Sequence, residues 1–417
     1  MIFYKNILNC SAALTLASLV TPAYAVMRTK PARAEKIGVI LPANDFVASQ
    51  LKTGIEIALA QSGASPERVV FHLKKNGENP RTTFEGLLRR ANIGMIINGA
   101  PLDAVALDRF ASTRHIPLVH AGKVDTSSLS RLSFAVFPNE TQLSATTAAY
   151  IADKKMSRVA LLIRKDALSS AWSHDLLRRI QGMPAQSVEV FPYQAEDLNS
   201  METAAKKLLK IDNVLRKDEW EKLAEEAQAK ALEENVPFQP EKLMLPARMD
   251  FDVVVLPADF RNVKHFLKIF KYLHAPKFPM IGNQQWRAPE LMDPPEPFLE
   301  GSVIVDFIPE TRLLPAPLAQ TEASLIDYQV IGYQSLSIAL AAMSQIKPGE
   351  RLGQKIAALQ NVGTFGSGAT FDGERRVHWP AFLYAVRGAR ILPLNWRAPV
   401  LPRSEDARYT SRFFPAR

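Results

Sequence analysis

Cysteine is almost absent from this sequence, which has a single one, Cys10, among 417 residues. That residue lies inside an early apolar stretch and follows Asn9, so it does not fit the end-of-stretch position of a lipid-modified cysteine. We therefore expect no lipid anchor. A chain with one cysteine has no disulfide framework. If the first residues are removed, Cys10 is lost with them, and the remaining chain has no thiol nucleophile and no cysteine-based metal site.

Sequence motifs of enzymes are also missing. There is no nucleophile elbow of the G-x-S-x-G type, no phosphate-binding P-loop, no H-E-x-x-H zinc motif and no set of kinase motifs. Gly366-Ser367-Gly368 lacks the strand-turn-helix setting of a nucleophile, and His115 and His120 are not spaced as metal ligands on a helix. We therefore predict that the protein is not an enzyme and binds no cofactor or metal.

The first 25 residues have the three parts of a secretory signal peptide. Lys5 supplies the positive start, residues 7–20 are mostly apolar, and Ala23-Tyr24-Ala25 is an A-x-A cleavage site. We predict cleavage after Ala25 and a periplasmic location, with a retained N-terminal anchor as the alternative. No other apolar run is long enough to span a membrane, so a membrane-spanning protein is not expected.

Charge is concentrated in two segments of a chain whose formal net charge is +9. Residues 395–417 form a basic tail that we expect to be disordered. Residues 199–235 are rich in charged residues and alanine, which favours a solvated helix or helical hairpin, with a partner-binding arm as the alternative. No interleaving of aromatic and basic residues suggests nucleic-acid binding.

Apolar strand-like segments alternate with helix-like segments from residue 35 to about residue 280. Lys36–Leu41 precedes a helical spacing over residues 50–62. After Phe137-Pro138 the same order returns with Arg158–Ile163 and a helical spacing over residues 170–181. This alternation predicts parallel sheets whose faces are both covered by helices.

We therefore expect an α/β protein of two lobes, each a doubly wound parallel sheet, with a charged helical insert at residues 199–235 of the second lobe. Crossovers between the lobes are expected near Phe137, Val305 and Gly363. The predicted first lobe comprises residues 36–136 and 306–362, and the predicted second lobe comprises residues 138–305 and 364–394.

Several of these stretches resemble the type I periplasmic-binding-protein superfamily, which includes the branched-chain amino-acid-binding proteins. The opening strand and helix, the turn Ile97–Pro101, the crossover strand Phe134–Pro138 and the run Ala369–Glu374 all have counterparts there. The resemblance covers nearly the whole chain after the signal peptide. It implies a two-lobed fold with a ligand-binding cleft.

A narrower resemblance links residues 251–261, 281–291 and 300–307 to the branch of penicillin-binding-protein activators and ABC substrate-binding-like proteins. Its first implication is a non-enzymatic protein of the cell envelope that interacts with or regulates a peptidoglycan synthase. The alternative is a solute-binding receptor that carries an amino acid or another small polar ligand to an ABC permease.

Candidate ligand contacts follow from the position of the cleft, because ligands of open α/β sheets bind beyond the carboxyl ends of the strands. In the amino-acid-binding relatives, two turns of the first lobe hold the ligand carboxylate, and a tyrosine of the second lobe is expected where this chain has Leu168-Ser169. The candidates at the corresponding turns and after the later strands are Ala100, Leu102, Ala121, Ser169, Asp259 and Trp286.

Trp286 and Asp259 each have two interpretations. As ligand contacts, they would offer a flat apolar ring and an anionic acceptor, which suit a sugar-like or cationic group. Alternatively, Trp286 packs under the proline-rich loop at residues 289–299, and Asp259 caps the helix that starts near Val263. A cleft that binds nothing is a further alternative.

Overall fold

The computed structural model describes most of the chain between residues 35 and 396. The described residues are 35–138, 140–183, 186–212, 214, 216–240, 243–322, 325–347, 349–360, 362 and 370–396. The predicted signal peptide, the crossover near Gly363 and the tail from residue 397 onward lie outside these ranges. Within them, no helix is long and apolar enough to cross a membrane.

The first sheet has five parallel strands. They are β1 Lys36–Leu41, β2 Val69–Leu73, β3 Ile93–Asn98, β4 Leu118–His120 and β5 Ser133–Ala135, and their spatial order is β2-β1-β3-β4-β5. The connecting helices are α1 Asp45–Ser62, α2 Pro80–Arg90 and α3 Ala104–Thr113. The side chain of Asn44 caps α1, which therefore begins five residues earlier than its apolar spacing indicated.

The second sheet has seven strands. They are β6 Arg158–Arg164, β7 Ser187–Tyr193, β8 Val253–Val255, β9 Met280–Asn283, β10 Val303–Asp306, β13 Phe382–Arg387 and β14 Arg390–Pro393. Their spatial order is β14-β13-β10-β9-β8-β6-β7. The helices are α4 Glu140–Asp153, α5 Ala171–Gln181, α6 Leu198–Leu208, α7 Lys217–Glu233, α8 Phe260–Tyr272 and α9 Pro289–Met292. The strands β6 to β10 are parallel, whereas β13 and β14 are antiparallel additions.

After β10 the chain returns to the first sheet through α10 Ala316–Ala319, α11 Ile326–Gln345 and α12 Leu352–Ala357. The helix α11 packs against α1 at two glycines. A Cβ atom on Gly54 would lie 1.9 Å from the carbonyl oxygen of Gln329, and one on Gly332 would lie 2.3 Å from that of Leu51. Only glycine permits this approach of the two backbones.

The hairpin of β11 Thr370–Phe371 and β12 Val377–His378 also contacts the first sheet. The amide of Ala135 donates to the carbonyl of Arg375, and the Arg375 guanidinium donates to the carbonyls of Ser133 and Thr126. Part of the segment 364–394 thus packs on the first lobe, while β13 and β14 extend the second sheet. The exact lobe bounds remain a prediction.

The charged insert is helical, as predicted, and consists of two helices of different character. In α6, Met201, Ala204 and Leu208 are buried in the core of the second sheet. In α7, only Ala231 is buried. Arg216, which precedes α7, is itself buried and donates to the carbonyls of Lys210 and Pro246. The apolar face of α6 was not predicted, because lysine and glutamate are frequent in this segment of the sequence.

We predict that Gly54→Ala destabilises the protein by roughly 3 kcal/mol, because the added methyl group would overlap the Gln329 carbonyl and force α1 and α11 apart. The matched control is Gly86→Ala, also within a helix, where the Cβ would meet His72 at an ordinary 3.8 Å. That change should be neutral or stabilise by up to about 1 kcal/mol. Urea denaturation of both variants checks the prediction, and equal stabilities would contradict it.

Candidate functional site

The carboxyl ends of the parallel strands define the candidate site. In the first sheet, the turns after β1, β3 and β4 lie at one edge because these strands are parallel neighbours. In the second sheet, the same holds for the turns after β6, β8 and β9. All six predicted contact residues lie in these turns, which are where an open α/β sheet binds its ligand.

Asn98, the last residue of β3, fixes the two turns that contain Ala100 and Ala121. Its side-chain oxygen accepts from the amide of Ala100 at 2.9 Å, and its carbonyl accepts from the amide of Ala121 at 2.9 Å. Both alanines are almost fully buried. Leu102 differs from them, since its side chain is 99 % exposed. The structure thus brings these three residues to one edge but leaves only Leu102 open to solvent.

A buried polar chain lies behind these turns. The side-chain amide nitrogen of Asn98 lies 3.0 Å from Nδ1 of His120, and Nε2 of His120 lies 3.2 Å from the hydroxyl of Ser133. That hydroxyl donates to Asp108 at 2.6 Å. Because the amide nitrogen of Asn98 is a donor, Nδ1 accepts and Nε2 carries the imidazole proton. This series of hydrogen bonds holds β3, β4 and β5 to α3.

Burial lowers the pKa of His120 from its usual 6.5 to about 4, although the nearby charge of Asp108 opposes the shift. The folded protein therefore keeps this imidazole neutral at pH values where the unfolded chain binds a proton. The imidazole has no solvent-exposed surface, which makes it a structural group rather than a ligand contact.

On the second lobe, Ser169 is exposed in the turn after β6. The same turn contains an ion pair between Arg164 and Asp166, whose Nε to Oδ1 distance is 2.9 Å. The hydrogen bonds that Arg164 donates to Asp166 raise the pKa of the guanidinium. Ser169 therefore lies beside a charged group that is already paired.

Asp259 is the N-cap of α8. Its Oδ1 atom accepts from the amides of Arg261 and Asn262, both at 3.0 Å, and its Oδ2 atom accepts from the side chain of Asn262 at 2.6 Å. These three bonds use both oxygens. The structure thus shows the capping interaction that the sequence left open, and a role in ligand contact stays a prediction.

Trp286 lies in the core of the second lobe and is fully buried. Its ring packs so closely on β9 that a Cβ atom on Gly282 would be 2.2 Å from it. The indole nitrogen has no hydrogen-bond partner among the described residues. The ring would have to leave the core to contact a ligand, so the arrangement favours the packing alternative.

A buried ion cluster beside Trp286 was not predicted from the sequence. The guanidinium of Arg287, in the turn after β9, pairs with Asp306 at the end of β10 and with Asp327 at the start of α11. Asp306 is fully buried, and its Oδ1 atom also accepts from the amide of Ile308 at 3.0 Å. An acid that directly follows the apolar run Val303–Val305 was the available signal.

The ion cluster connects the lobes, because α11 packs on the first sheet and Arg287 belongs to the second. Burial opposes the charge on Arg287, but Asp306 and Asp327 raise its pKa above the ordinary value. Burial in turn raises the pKa of Asp306, against the charge of Arg287. A second pair between the lobes joins Lys123, in the turn after β4, to Glu140 at the start of α4, at 2.5 Å.

Comparison with known proteins identifies the fold. No protein-family model and no curated protein matches the sequence. Many solved structures do match, among them binding proteins of ABC transporters. A branched-chain amino acid ABC transporter protein from Rhodospirillum rubrum matches with a TM-score of 0.63 at 12 % identity, over 86 % of this chain and 100 % of that one.

Two further structures have the same architecture. A leucine-binding protein from Thermotoga maritima has a TM-score of 0.54 at 14 % identity, over 86 % of this chain and 97 % of that one. A solute-binding protein from R. palustris, in complex with benzoate, has a TM-score of 0.51 at 12 % identity, over 86 % of this chain and 95 % of that one. The chain therefore has the two-lobed type I periplasmic-binding-protein fold, as its sequence predicted.

We predict that His120 contributes a fall of roughly 3 kcal/mol to the free energy of unfolding as the pH is lowered from 6.5 to about 4, because the unfolded chain protonates His120 in this window before the folded protein does. Asp306, whose pKa is raised, contributes in the opposite direction, so the contribution of His120 is read as the difference between the wild type and a variant without it. The pH dependence of urea denaturation measures this. A His120→Asn variant should show a smaller fall. Equal falls in the wild type and in the variant would contradict the prediction.

We predict that Arg287→Met destabilises the protein by roughly 3–5 kcal/mol, because it leaves the buried carboxylate of Asp306 without its cation. Arg312→Met is the matched control. Arg312 pairs with Glu310 on the surface, so its loss should cost less than about 1 kcal/mol. Equal denaturation midpoints for the two variants would show that the cluster does not stabilise the fold.

Proposed function

We propose that this protein is a non-enzymatic solute-binding receptor of the periplasm, whose cleft between the two lobes takes a small ligand for an ABC permease. The observation that carries the proposal is the matched fold: transporter binding proteins align with the chain over 95 % to 100 % of their own length. One of these proteins binds leucine and another was solved with benzoate. Export through the predicted signal peptide at residues 1–25 agrees with such a role.

The geometry supports binding rather than catalysis. Polar groups in the turns at the carboxyl edges are engaged in structural bonds: Asp259 caps a helix, Arg164 pairs with Asp166, and His120 is enclosed. None of these is a free general acid or base beside a nucleophile. Among the six predicted contacts, Leu102 and Ser169 are the exposed ones and are suited to contact with a ligand.

The first interpretation of the sequence was a different role, that of a cell-envelope protein related to penicillin-binding-protein activators. The matched structures favour the receptor. The activator role depends on α7, an exposed helix with six acidic residues and three lysines on a chain of net charge +9. If a peptidoglycan synthase is the partner, replacing residues 217–233 by a short linker should abolish its binding and leave ligand binding intact.

The receptor function is tested by screening amino acids, aromatic acids, sugars and polyamines for a rise in melting temperature. A ligand at 100 times its Kd stabilises the folded state by about 2.7 kcal/mol, which raises the melting temperature by several degrees. Ser169→Trp should reduce that rise by obstructing the cleft. Ser344→Trp, at an exposed position near the end of α11, should not.

Mass spectrometry of small molecules released from natively purified protein complements the screen. A bound compound, or a melting shift that Ser169→Trp removes, supports the receptor. If no compound is released and none in the screen shifts the melting temperature, the proposal fails.

A further inference from the structure

Two ion pairs cross between the lobes in a reciprocal arrangement. Lys123, in the turn after β4 of the first sheet, pairs with Glu140 in the first turn of α4. Arg287, in the turn after β9 of the second sheet, pairs with Asp327 in the first turn of α11. The helix α4 packs on α5 and β10, whereas α11 packs on α1, β3 and β4. In each pair, therefore, a cation from the carboxyl edge of one sheet holds the beginning of a helix that covers the other sheet.

The position of both acids makes these pairs reversible. The backbone amides at the start of a helix favour a negative charge in its first turn. Glu140 and Asp327 each occupy such a position, and their side chains are 33 % and 35 % exposed. Each carboxylate is therefore stabilised by its own helix and by water even when its cation has moved away.

Arg287 has a second partner, which compensates its charge when Asp327 leaves. Asp306 ends β10, the strand next to β9 in the same sheet, and its side chain is fully buried. Breaking that buried pair would leave a charge alone in the interior, whereas a partly exposed pair can exchange its partner for water. The cation therefore stays with Asp306, and its contact with Asp327 is the one that opens. Lys123 also reaches water, since its side chain is mostly exposed.

We propose that the pairs Lys123–Glu140 and Arg287–Asp327 form a charge latch, which restrains the separation of the two carboxyl edges. Each contact is weak, so the latch shifts the equilibrium between closer and more open arrangements of the lobes rather than locking one of them. Its role in regulating access to the cleft rests on the proposed receptor function. The restraint on the lobes themselves does not, because it follows from the contacts alone.

The latch is tested by the distance between spin labels on cysteines introduced at Phe46 and Leu198, which are exposed at the carboxyl edges of the first and second sheets. The protein is labelled without ligand, with Cys10 replaced by serine. Glu140→Gln and Asp327→Asn each remove one acid of the latch at nearly unchanged size. Each should raise the population of longer distances by up to about fivefold, the factor that corresponds to one exposed ion pair. The double variant should raise it further.

Glu85→Gln is the matched control. It breaks the pair between Glu85 and Arg81, which are both exposed on α2 and thus belong to the same lobe. Its distance distribution should equal that of the wild type. If both latch variants and the double variant also retain the wild-type distribution, the proposal is overturned.

Salt provides a check that needs no substitution in the latch. Raising the ionic strength from about 0.01 M to about 1 M shortens the Debye length from about 30 Å to about 3 Å, which weakens exposed pairs. The wild type should therefore shift toward longer distances, and the double variant should respond less. A wild-type distribution that salt leaves unchanged would overturn the proposal, as would an equal response of the double variant. Failure of the receptor function would be seen separately, as the absence of any ligand in the melting screen and in the released material.

Discussion

A parallel sheet has to be covered on both faces, and the structure of this protein follows from that constraint. Because helices flank each sheet, the strands are continuous apolar runs in the sequence. The polar residues lie in the turns at the strand ends. The turns at the carboxyl edge of each sheet are where an open α/β sheet presents a surface for recognition. Leu102 and Ser169 are exposed for this reason, while His120 and Trp286 are enclosed.

The lobes are joined by specific polar and close-packed contacts as well as by the chain itself. Arg287 holds an acid from the crossover strand β10 and another from α11, and Lys123 pairs with Glu140 across the first crossover. The aromatic rings of Phe307 and Trp379 meet at an interplanar angle of 72° beside this junction. These contacts lie between elements of the two sheets and fix their carboxyl edges relative to one another.

Much of the fold could be predicted from the sequence, because buried parallel strands leave a simple apolar signal such as Lys36–Leu41. The candidate site could be predicted only in position. Asp259 and Trp286 lie in the turns after β8 and β9, and their capping and core packing, which the sequence offered only as alternatives, depend on neighbours such as Asn262 and Gly282. The insert is helical, as predicted, but the buried face of α6 was not predicted, because its apolar residues are interspersed with charged ones. The ion cluster of Arg287 joins residues 40 positions apart, which no local pattern shows.

The central claim is that two separate lobes close around a ligand at their carboxyl edges. Spin labels on cysteines introduced at Leu198, exposed at the carboxyl edge of the second sheet, and at Phe46 test it directly, with Cys10 replaced by serine if it is retained. Double electron–electron resonance measures the distance between the two labels. This distance should become shorter, and its distribution narrower, when the ligand found in the screen is added. A distance that does not change at saturating ligand would contradict the account.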